Sequence, residues 1–386
     1  MVIKSSMSLL QWLQRGIFIG VTMYFPFIRK LSLCLFFLAS PFGCAGDSYE
    51  GENNAPIRNE PPLTNSDSDA STSPFDIARR WSNQLALYGK RFCNPDDIKE
   101  HQLWEGGVWY YDGARVYYNA ADFFQDQKWE SCAQFVLNTY KTYVIDSDGN
   151  IPGWRVFPHG LYEHYLRTGD RTSRQAILLL TERSAFAKTS GGADAELSRE
   201  TAYLIHTFLI ARELGLQGFD GQLEIAIAHA REHLRQWTHL QGAEYAKPFM
   251  MGLTFEALIS AYETKSDSRS LTTLQEAADW LWENGWNPTK KSFPYLICTS
   301  NSSYSECKEQ PIPFAPDLNL LIAPAYAWLY VVTGDQKYAE MADRIFIGGV
   351  TQADLSSGKR FSQNYRWSNN YMRWRLGIEN TNGMSQ

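Results

Sequence analysis

Two nearly identical turns, far apart in the sequence, constrain the fold of this chain more than any other feature. Residues 165–170 read Tyr-Leu-Arg-Thr-Gly-Asp, and residues 330–335 read Tyr-Val-Val-Thr-Gly-Asp. In such a turn the glycine ends one helix and the aspartate caps the next. Similar breaks at residues 124–126, 215–217 and 265–267 each separate two helical patterns. A helix-turn-helix unit that recurs in this way stacks into a solenoid or closes into a ring.

Apolar residues at helical spacing lie on both sides of these turns, whereas the alternation typical of strands is scarce. The chain is therefore predicted to be all-α. One helix is expected to begin directly after Asp112, whose side chain can cap it. Further helices are predicted over residues 75–92, 128–144, 158–168, 171–187, 199–214, 221–237, 248–264, 270–286, 318–333, 336–346 and 361–374.

The two helices of each pair differ in polarity. Leading helices, such as those over residues 250–259 and 318–330, are apolar nearly all round, which is typical of buried helices. Following helices, such as those over residues 221–237 and 270–286, carry charge on one face. This asymmetry predicts six inner helices surrounded by six outer ones, which is an (α/α)6 toroid formed by residues 74–386.

In this arrangement the chain resembles the six-hairpin glycosidase superfamily, whose toroids include glucoamylase-like enzymes, unsaturated-glucuronyl-hydrolase-like enzymes and several polysaccharide lyases. The resemblance covers residues 74–375 and rests on the helix pairs, the Thr-Gly-Asp turns and the segment 159–170, His-Gly-Leu-Tyr-Glu-His-Tyr-Leu-Arg-Thr-Gly-Asp. It implies activity on carbohydrate and a substrate funnel at the N-terminal ends of the inner helices. The chain does not match the catalytic motif of any one family in this superfamily, so the resemblance assigns no catalytic residue.

Ionisable side chains at those helix ends are the candidate catalytic residues. Glycoside hydrolysis needs one carboxyl as acid and a second as base or nucleophile, and Asp112 with Glu200 is the first candidate pair. Asp317 has an equivalent position. Each carboxyl can instead stabilise the first turn of a helix, as a cap or through the helix dipole. His159, near Arg155, is suited to act as the base of a β-elimination from a uronate, or it is an ordinary surface histidine.

Aromatic and cationic side chains at the same ends are the candidate substrate-binding residues. Aromatic rings stack on the flat faces of sugars, and arginine binds carboxylates. Deeper in the inner helices, Glu163 and Glu256 need partners, so each is expected to form a structural ion pair or the floor of the site. The candidates for substrate binding are Trp104, Trp109, Tyr111, Trp154, Arg155, Arg199, Arg366 and Trp367.

The N-terminal segment, residues 1–45, is predicted to be an export signal, because a basic pair precedes an apolar run. Its end resembles that of a bacterial lipoprotein signal, which implies lipidation of Cys44 and a tethered, periplasmic or outer-membrane protein. Ordinary secretory cleavage just after Ala45 or Gly46, and a membrane anchor retained over residues 8–42, are the alternatives. Residues 46–73 are polar and are predicted to form a disordered linker.

Four cysteines remain in the helical domain, which suits two disulfides in an oxidising compartment. Cys298 and Cys307 flank a polar loop and form the natural local pair, which leaves Cys93 to pair with Cys132. Their spacing is not that of a zinc site, so neither a metal nor a cofactor is expected.

Other features narrow the choice of partner. The net charge of −6, without a basic block, argues against nucleic acid. Residues 229–233, His-Ala-Arg-Glu-His, have the spacing of a metalloprotease motif but fall on a predicted outer helix with no third ligand. The expected partner is a polysaccharide or oligosaccharide, with membrane contact only through the N-terminal anchor, and the protein is expected to be a monomer.

These observations predict an exported carbohydrate-active enzyme, foremost a glycoside hydrolase with two carboxyl groups in the funnel, and the resemblance to the superfamily implies an inverting mechanism. A polysaccharide lyase that acts by β-elimination is the first alternative. The second is a non-catalytic glycan-binding or scaffold protein of a polysaccharide export system. The fold does not decide among them, because toroids host all three.

Overall fold

The structure of the helical domain is a computed structural model. The predicted export segment, the linker through residue 72, Cys44 and Trp104 lie outside the described residues. In the part of the chain that is described, no helix is long and apolar enough to cross a membrane. The described residues are 73–100, 105–239, 244–300, 302–309 and 311–381.

Helices make up nearly all of the regular structure. In chain order they are α1 (Pro74–Phe92), α2 (Pro95–Glu100), α3 (Gly113–Phe124), α4 (Lys128–Asp146), α5 (His159–Thr168), α6 (Arg171–Arg183), α7 (Ser198–Glu213), α8 (Asp220–His239), α9 (Pro248–Thr264), α10 (Ser268–Gly285), α11 (Ser305–Lys308), α12 (Ala323–Thr333), α13 (Gln336–Gln352), α14 (Gly358–Tyr365) and α15 (Asn369–Leu376).

Short elements connect these helices. Two-residue strands, β1 (Tyr245–Ala246) and β2 (Ile297–Cys298), pair antiparallel with Tyr245 opposite Cys298. The 3-10 helices cover Gly153–Arg155, Ala187–Thr189, Ala195–Leu197 and Pro316–Leu321.

The helices form two concentric rings. In the inner ring α3, α5, α7, α9 and α12 are successive neighbours, and α15 packs on α12 while α14 returns to α3. The outer ring consists of α1, α4, α6, α8, α10 and α13, and it closes where α1 packs against α13. Helix α9 is buried along most of its length, whereas α8 buries one face only. The predicted all-α fold and (α/α)6 toroid are therefore confirmed.

The two matching turns have the predicted geometry. Gly169 and Gly334 end α5 and α12 with φ angles of 71° and 70°, which a residue with a side chain rarely adopts. Asp170 and Asp335 then accept hydrogen bonds of 3.0 Å from the backbone amides two residues later. The repeat seen in the sequence therefore marks the same helix-helix joint in two different pairs.

Four predicted helices have clearly different limits in the structure. The helix expected over residues 336–346 continues to Gln352. The helix expected over residues 171–187 ends at Arg183, and the chain then turns through a positive φ angle at Phe186. The helix expected over 318–333 begins only at Ala323, because Pro324 in its first turn lacks the amide needed to continue from the preceding 3-10 helix. The segment 361–374 is broken between α14 and α15.

Both predicted disulfides are present. Cys93 at the end of α1 is joined to Cys132 in α4, and Cys298 in β2 is joined to Cys307 in α11. The first links two outer helices, and the second closes the loop between α10 and α12.

Candidate functional site

Charged and polar side chains meet at the centre of the inner ring, where α3, α5, α7 and α9 approach one another. Five of them come from the N-terminal ends of α3 and α5 and from the middle of α7 and α9, and one lies between α14 and α15. The central cluster consists of Asp112, Arg115, His159, His206, Glu256 and Arg366.

Glu256 anchors this cluster from the middle of α9. Its carboxylate lies 2.5 Å from Nη1 of Arg115 and 3.0 Å from Nη2 of Arg366, and the side chain is only 2% exposed. Burial alone would raise the pKa of Glu256, but the two ion pairs outweigh burial and lower the pKa to about 2. The carboxylate is therefore ionised, and it serves both as a structural ion pair and as the floor of the cluster.

Two histidines lie next to each other beside Glu256. The ring centroids of His159 and His206 are 4.6 Å apart, and Nε2 of His206 lies 4.0 Å from the Glu256 carboxylate. Burial lowers the pKa of His206 to about 3 and the pKa of His159 well below its usual 6.5, and the nearby guanidinium groups add to both shifts. Both rings are therefore neutral at pH 7. The His159 side chain, 19% exposed, reaches solvent.

The sequence suggested that the side chain of Asp112 caps its own helix, α3, but the structure does not show this cap. The backbone of Asp112 is left-handed, with φ of 64°, and its side chain makes no cap to α3. The carboxylate instead accepts hydrogen bonds of 3.0 and 3.1 Å from the backbone amides of His159 and Gly160, so it caps α5. A Cβ atom at Gly160 would lie 2.6 Å from Oδ1 of Asp112, so the glycine permits this approach. Burial raises the pKa of Asp112, against the opposing effect of nearby arginines.

Glu200 and Arg199 form a second charged pair in the first turn of α7. Nη2 of Arg199 lies 3.0 Å from Oε1 of Glu200, whereas the buried Oε2 has no hydrogen-bond partner among the described residues. Tyr203, one turn later, accepts a hydrogen bond of 3.4 Å from Arg366. Burial raises the pKa of Tyr203 to about 12, and the charges of Glu200 and Glu256 both act on it. The Tyr203 hydroxyl therefore contacts Arg366 of the central cluster and is also influenced by the charge of Glu200.

The predicted aromatic and cationic binding residues lie in several environments. Trp109 and Tyr111 are buried in the core beside the N-terminal end of α3. Trp154 and Arg155 are half-buried, and the Arg155 guanidinium lies 5.6 Å from the Trp109 ring and 2.8 Å from Glu105. Of these side chains, Trp154 and Arg155 are the ones that a ligand can reach without rearrangement.

Two other predicted site residues are separate from the central cluster. Trp367 is 1% exposed, and its indole N–H donates to the Leu321 carbonyl, so its ring is part of the core. Asp317 is the second residue of the 3-10 helix Pro316–Leu321, and burial raises its pKa. The charges acting on Asp317 come from Arg360 and Asp354 rather than from the cluster.

Three site residues were not predicted from the sequence, namely Arg115, His206 and Tyr203. Arg115 lies in the first turn of α3, whereas Tyr203 and His206 lie one and two turns beyond the start of α7. A usable signal existed, since His206 interrupts the apolar run Ala202–Ile210 of α7. A buried helix retains such a group when it has a partner or a function.

His159, His206 and Glu256 place one donor atom each within 4.8 Å of one another, as a metal site would. Arg115 and Arg366, however, already contact both oxygens of Glu256 and place two positive charges beside it. These residues therefore fit a cation poorly. The motif at 229–233 lies on outer helix α8, where both histidines contact backbone carbonyls of residues 190 and 192.

Comparison with known proteins shows similarity in structure. No family model matches the sequence, and no curated protein matches it. An unsaturated glucuronyl hydrolase specific for heparin is 12% identical, with a TM-score of 0.56 over 79% of this chain and 100% of the hydrolase.

Two other solved structures are less similar. The Lin0763 protein from Listeria innocua is 11% identical, with a TM-score of 0.47 over 78% of this chain and 98% of that protein. An alpha-1,6-mannanase from Salegentibacter is 16% identical, with a TM-score of 0.41 over 59% of this chain and 68% of the mannanase. At such low identity, likeness is evidence of the fold alone. The chain has the (α/α)6 toroid fold of the six-hairpin glycosidases.

Proposed function

We propose that this protein is an exported glycoside hydrolase that acts on an acidic saccharide at the central cluster. The observation that carries the proposal is the charge balance around Glu256. Two guanidinium groups, those of Arg115 and Arg366, share this single carboxylate in a buried setting. The carboxylate or sulfate of a bound sugar would supply the missing negative charge through charge-assisted hydrogen bonds. The similar heparin-specific hydrolase acts on an unsaturated glucuronyl group, as its name says.

Asp112 is the proposed general acid. A glycosidase acid must keep its proton at working pH, and burial shifts the pKa of Asp112 in that direction. Its position at the N-terminal end of α3, beside the solvent-accessible His159, is where the funnel of a toroid is expected. The proton of Asp112 would pass to the glycosidic oxygen as its bond to the anomeric carbon breaks.

Glu200 is the proposed general base. Arg199 holds one of its oxygens, and the other, buried and without a hydrogen-bond partner among the described residues, can accept a proton from water. The oxygen of that water bonds to the anomeric carbon, and one of its protons passes to Glu200. Water thus supplies both the new hydroxyl and the proton that restores the acid after the cycle. His159, neutral and partly exposed, would orient the sugar by hydrogen bonding.

A lyase is the second candidate, and the histidines favour it. A β-elimination from a uronate needs a cation on the carboxylate and a neutral base near the C5 proton. Arg115 and the neutral His159 form such a combination. In that reaction the C5 proton moves to the base, the bond from C4 to the leaving oxygen breaks as that oxygen takes up a proton, and a C4–C5 double bond forms without the addition of water.

Product masses distinguish these reactions. Purified protein would be incubated with heparin oligosaccharides, unsaturated glucuronyl disaccharides, oligogalacturonides and neutral cello-oligosaccharides, and the products weighed by mass spectrometry. Hydrolysis gives fragments whose masses sum to the substrate plus one water, and elimination gives fragments that sum to the substrate alone. We expect the added water, from acidic substrates only, and its loss in Glu200→Gln. Cleavage of neutral substrates alone, or of none, would refute the proposal and leave the glycan-binding alternative.

Export belongs to the same proposal. The two disulfides support it, because disulfides persist in oxidising compartments. We propose that Cys44 is lipidated and tethers the enzyme to the membrane. Expression of the full chain in a bacterium with labelled palmitate tests this, with Cys44→Ser as control. Label in both variants, or in neither, would contradict the tether.

A further inference from the structure

Lys247 is a buried cation at the N-terminal end of inner helix α9. It is 5% exposed, and its Nζ atom lies 5.3 Å from the ring centroid of Tyr245 and 5.6 Å from that of Tyr304. These two rings stack on each other with centroids 4.0 Å apart. The ammonium therefore lies against a pair of aromatic rings rather than in water.

The hydrogen-bonding capacity of this group is largely unused. An ammonium has three donors, and Nζ of Lys247 makes one long bond of 3.4 Å to the hydroxyl of Tyr304. Within the described ranges Lys247 forms no ion pair, and the Glu306 carboxylate instead accepts a hydrogen bond of 2.6 Å from the Tyr304 hydroxyl. The hydroxyl of Tyr245 is also buried without a hydrogen-bond partner in the described part of the chain. Cation-π contacts offset part of the desolvation cost, but a bound anion would offset more.

The disulfide loop fixes this arrangement. Tyr245 lies in β1, which pairs with β2, and Cys298 in β2 is bonded to Cys307 in α11. Tyr304 directly precedes α11. The two tyrosines are thus joined by both a strand pair and a disulfide, so their stacking is set before any ligand arrives.

Electrostatics link Lys247 to the proposed base. Glu196 lies just ahead of α7, and burial raises its pKa. The charge of Lys247 opposes this shift, whereas Glu306 and Glu200 add to it. Both Lys247 and Glu200 are therefore close enough to Glu196 to affect it. Lys247 lies at the start of α9 and Glu200 at the start of the neighbouring α7, so the two share one end of the toroid.

We propose that Lys247, Tyr245 and Tyr304 form a second saccharide subsite, beside the central cluster, that binds an acidic sugar residue. The Lys247 ammonium binds the carboxylate or sulfate of that residue, and the half-buried Tyr304 ring contacts its apolar face. This inference rests on the proposed function, because it assigns to the same substrate a second point of contact. It also gives the Cys298–Cys307 disulfide a role in holding the subsite.

Binding measurements test the subsite separately from catalysis. Isothermal titration calorimetry would be performed on the full chain carrying Glu200→Gln, so that no probe is consumed. The probes are a heparin tetrasaccharide, which carries sulfate and carboxylate, a tetragalacturonide, which carries carboxylate only, and neutral cellotetraose. The test variant is Lys247→Met, which keeps the apolar stem, and the matched control is Lys265→Met, whose exposed side chain pairs with Glu224.

We expect Lys247→Met to weaken binding of at least one acidic probe by about tenfold or more, the scale of a lost charge-assisted hydrogen bond. Lys265→Met should bind like the parent, and Lys247→Arg should keep part of the affinity. Loss with heparin but not with tetragalacturonide would identify sulfate as the ligand, and loss with both would identify carboxylate. Equal affinity of Lys247→Met and parent for the acidic probes, or no binding of either acidic probe to the parent, would overturn the subsite.

Removing the disulfide provides a second test. The double variant Cys298→Ser, Cys307→Ser should weaken binding of the acidic probe, while its circular dichroism spectrum stays that of the parent. Unchanged affinity in this variant and in Tyr304→Ala would also overturn the subsite. Should the protein bind acidic probes through Lys247 yet cleave no glycan, the hydrolase proposal alone would fail.

Discussion

Oδ2 of Asp112 accepts a hydrogen bond of 3.0 Å from the backbone amide of His159, so the candidate acid at the start of one inner helix caps the next one. A cap and a proton donor make different demands on this side chain. The cap needs only an oxygen that accepts, whereas the acid needs a proton to give. Substitutions that keep the oxygen but lose the acidic proton can therefore separate the two roles.

Asp112→Asn is expected to retain most of the stability and to lose activity. Asparagine is as good a cap as aspartate, so thermal unfolding should change little. Loss of a general acid typically slows the reaction by about 10² to 10⁴-fold. The measurements are the unfolding midpoint and the initial rate on the best acidic substrate.

Asp112→Ala serves as the companion variant. It removes the cap as well, so a further destabilisation of about 0.5 to 2 kcal/mol is expected from chemical unfolding. Should Asp112→Asn keep full activity while Asp112→Ala loses it through instability, Asp112 would be a cap alone.

Glu256→Ala is expected to be among the most destabilising substitutions in the domain. It leaves the guanidinium groups of Arg115 and Arg366 buried without their carboxylate, which costs about 3 to 5 kcal/mol. Urea unfolding followed by tryptophan fluorescence measures this difference. The control is Glu224→Ala, an exposed acid paired with Lys265, where a change within about 0.5 kcal/mol is expected. Similar free energies of unfolding for the two variants would contradict the central ion pairs.

The toroid architecture could be predicted from the sequence because the patterns that indicate it are local. The turns at Gly169 and Gly334 and the apolar character of α9 follow from single-helix rules. The number of cysteines and the short spacing of Cys298 and Cys307 were enough to predict both disulfides. The predicted helix limits were wrong where a single residue interrupts the backbone hydrogen bonding, as Pro324 does at the start of α12.

The central cluster could be predicted only in part, because its members come from helices far apart in the chain. Glu256 was expected to need a partner, but nothing local identifies Arg115, which is 141 residues away. Asp112 was placed at a helix start correctly, yet the helix it caps begins at His159, 47 residues later. Which inner helices become neighbours depends on closure of the ring, and that is a property of the whole chain.

Stability is expected to fall as the pH drops below about 6.5, because of His206. Its pKa is about 3 in the folded protein, below the usual 6.5, so the unfolded chain binds one more proton than the folded one between these values. Stability therefore rises with pH across this window. Below the usual carboxyl pKa of 4.5, Glu256 adds to the loss, because its folded pKa of about 2 means that unfolding also takes up a proton there.

His206→Gln separates these contributions. Free energies of unfolding measured from pH 4.5 to 7 should slope less in this variant than in the parent, because the titrating ring is gone. Between pH 4.5 and about 3 the variant should also lose stability, since Glu256 remains, but less steeply than the parent, and only below about pH 3 should the two fall in parallel. Identical slopes above pH 4.5 would show that His206 is not held neutral in the folded protein.

The two disulfides are expected to differ in their effect on stability. Cys93 and Cys132 are 39 residues apart and link two outer helices, so their bond restricts the unfolded chain by about 4 kcal/mol in the chain-entropy description. Cys298 and Cys307 are only 9 residues apart, and the same description gives roughly 2 to 3 kcal/mol. Guanidinium unfolding of the two double Cys→Ser variants against the parent measures both differences. A larger loss from the shorter loop would show that the 298–307 link contributes to the folded state beyond its entropic effect.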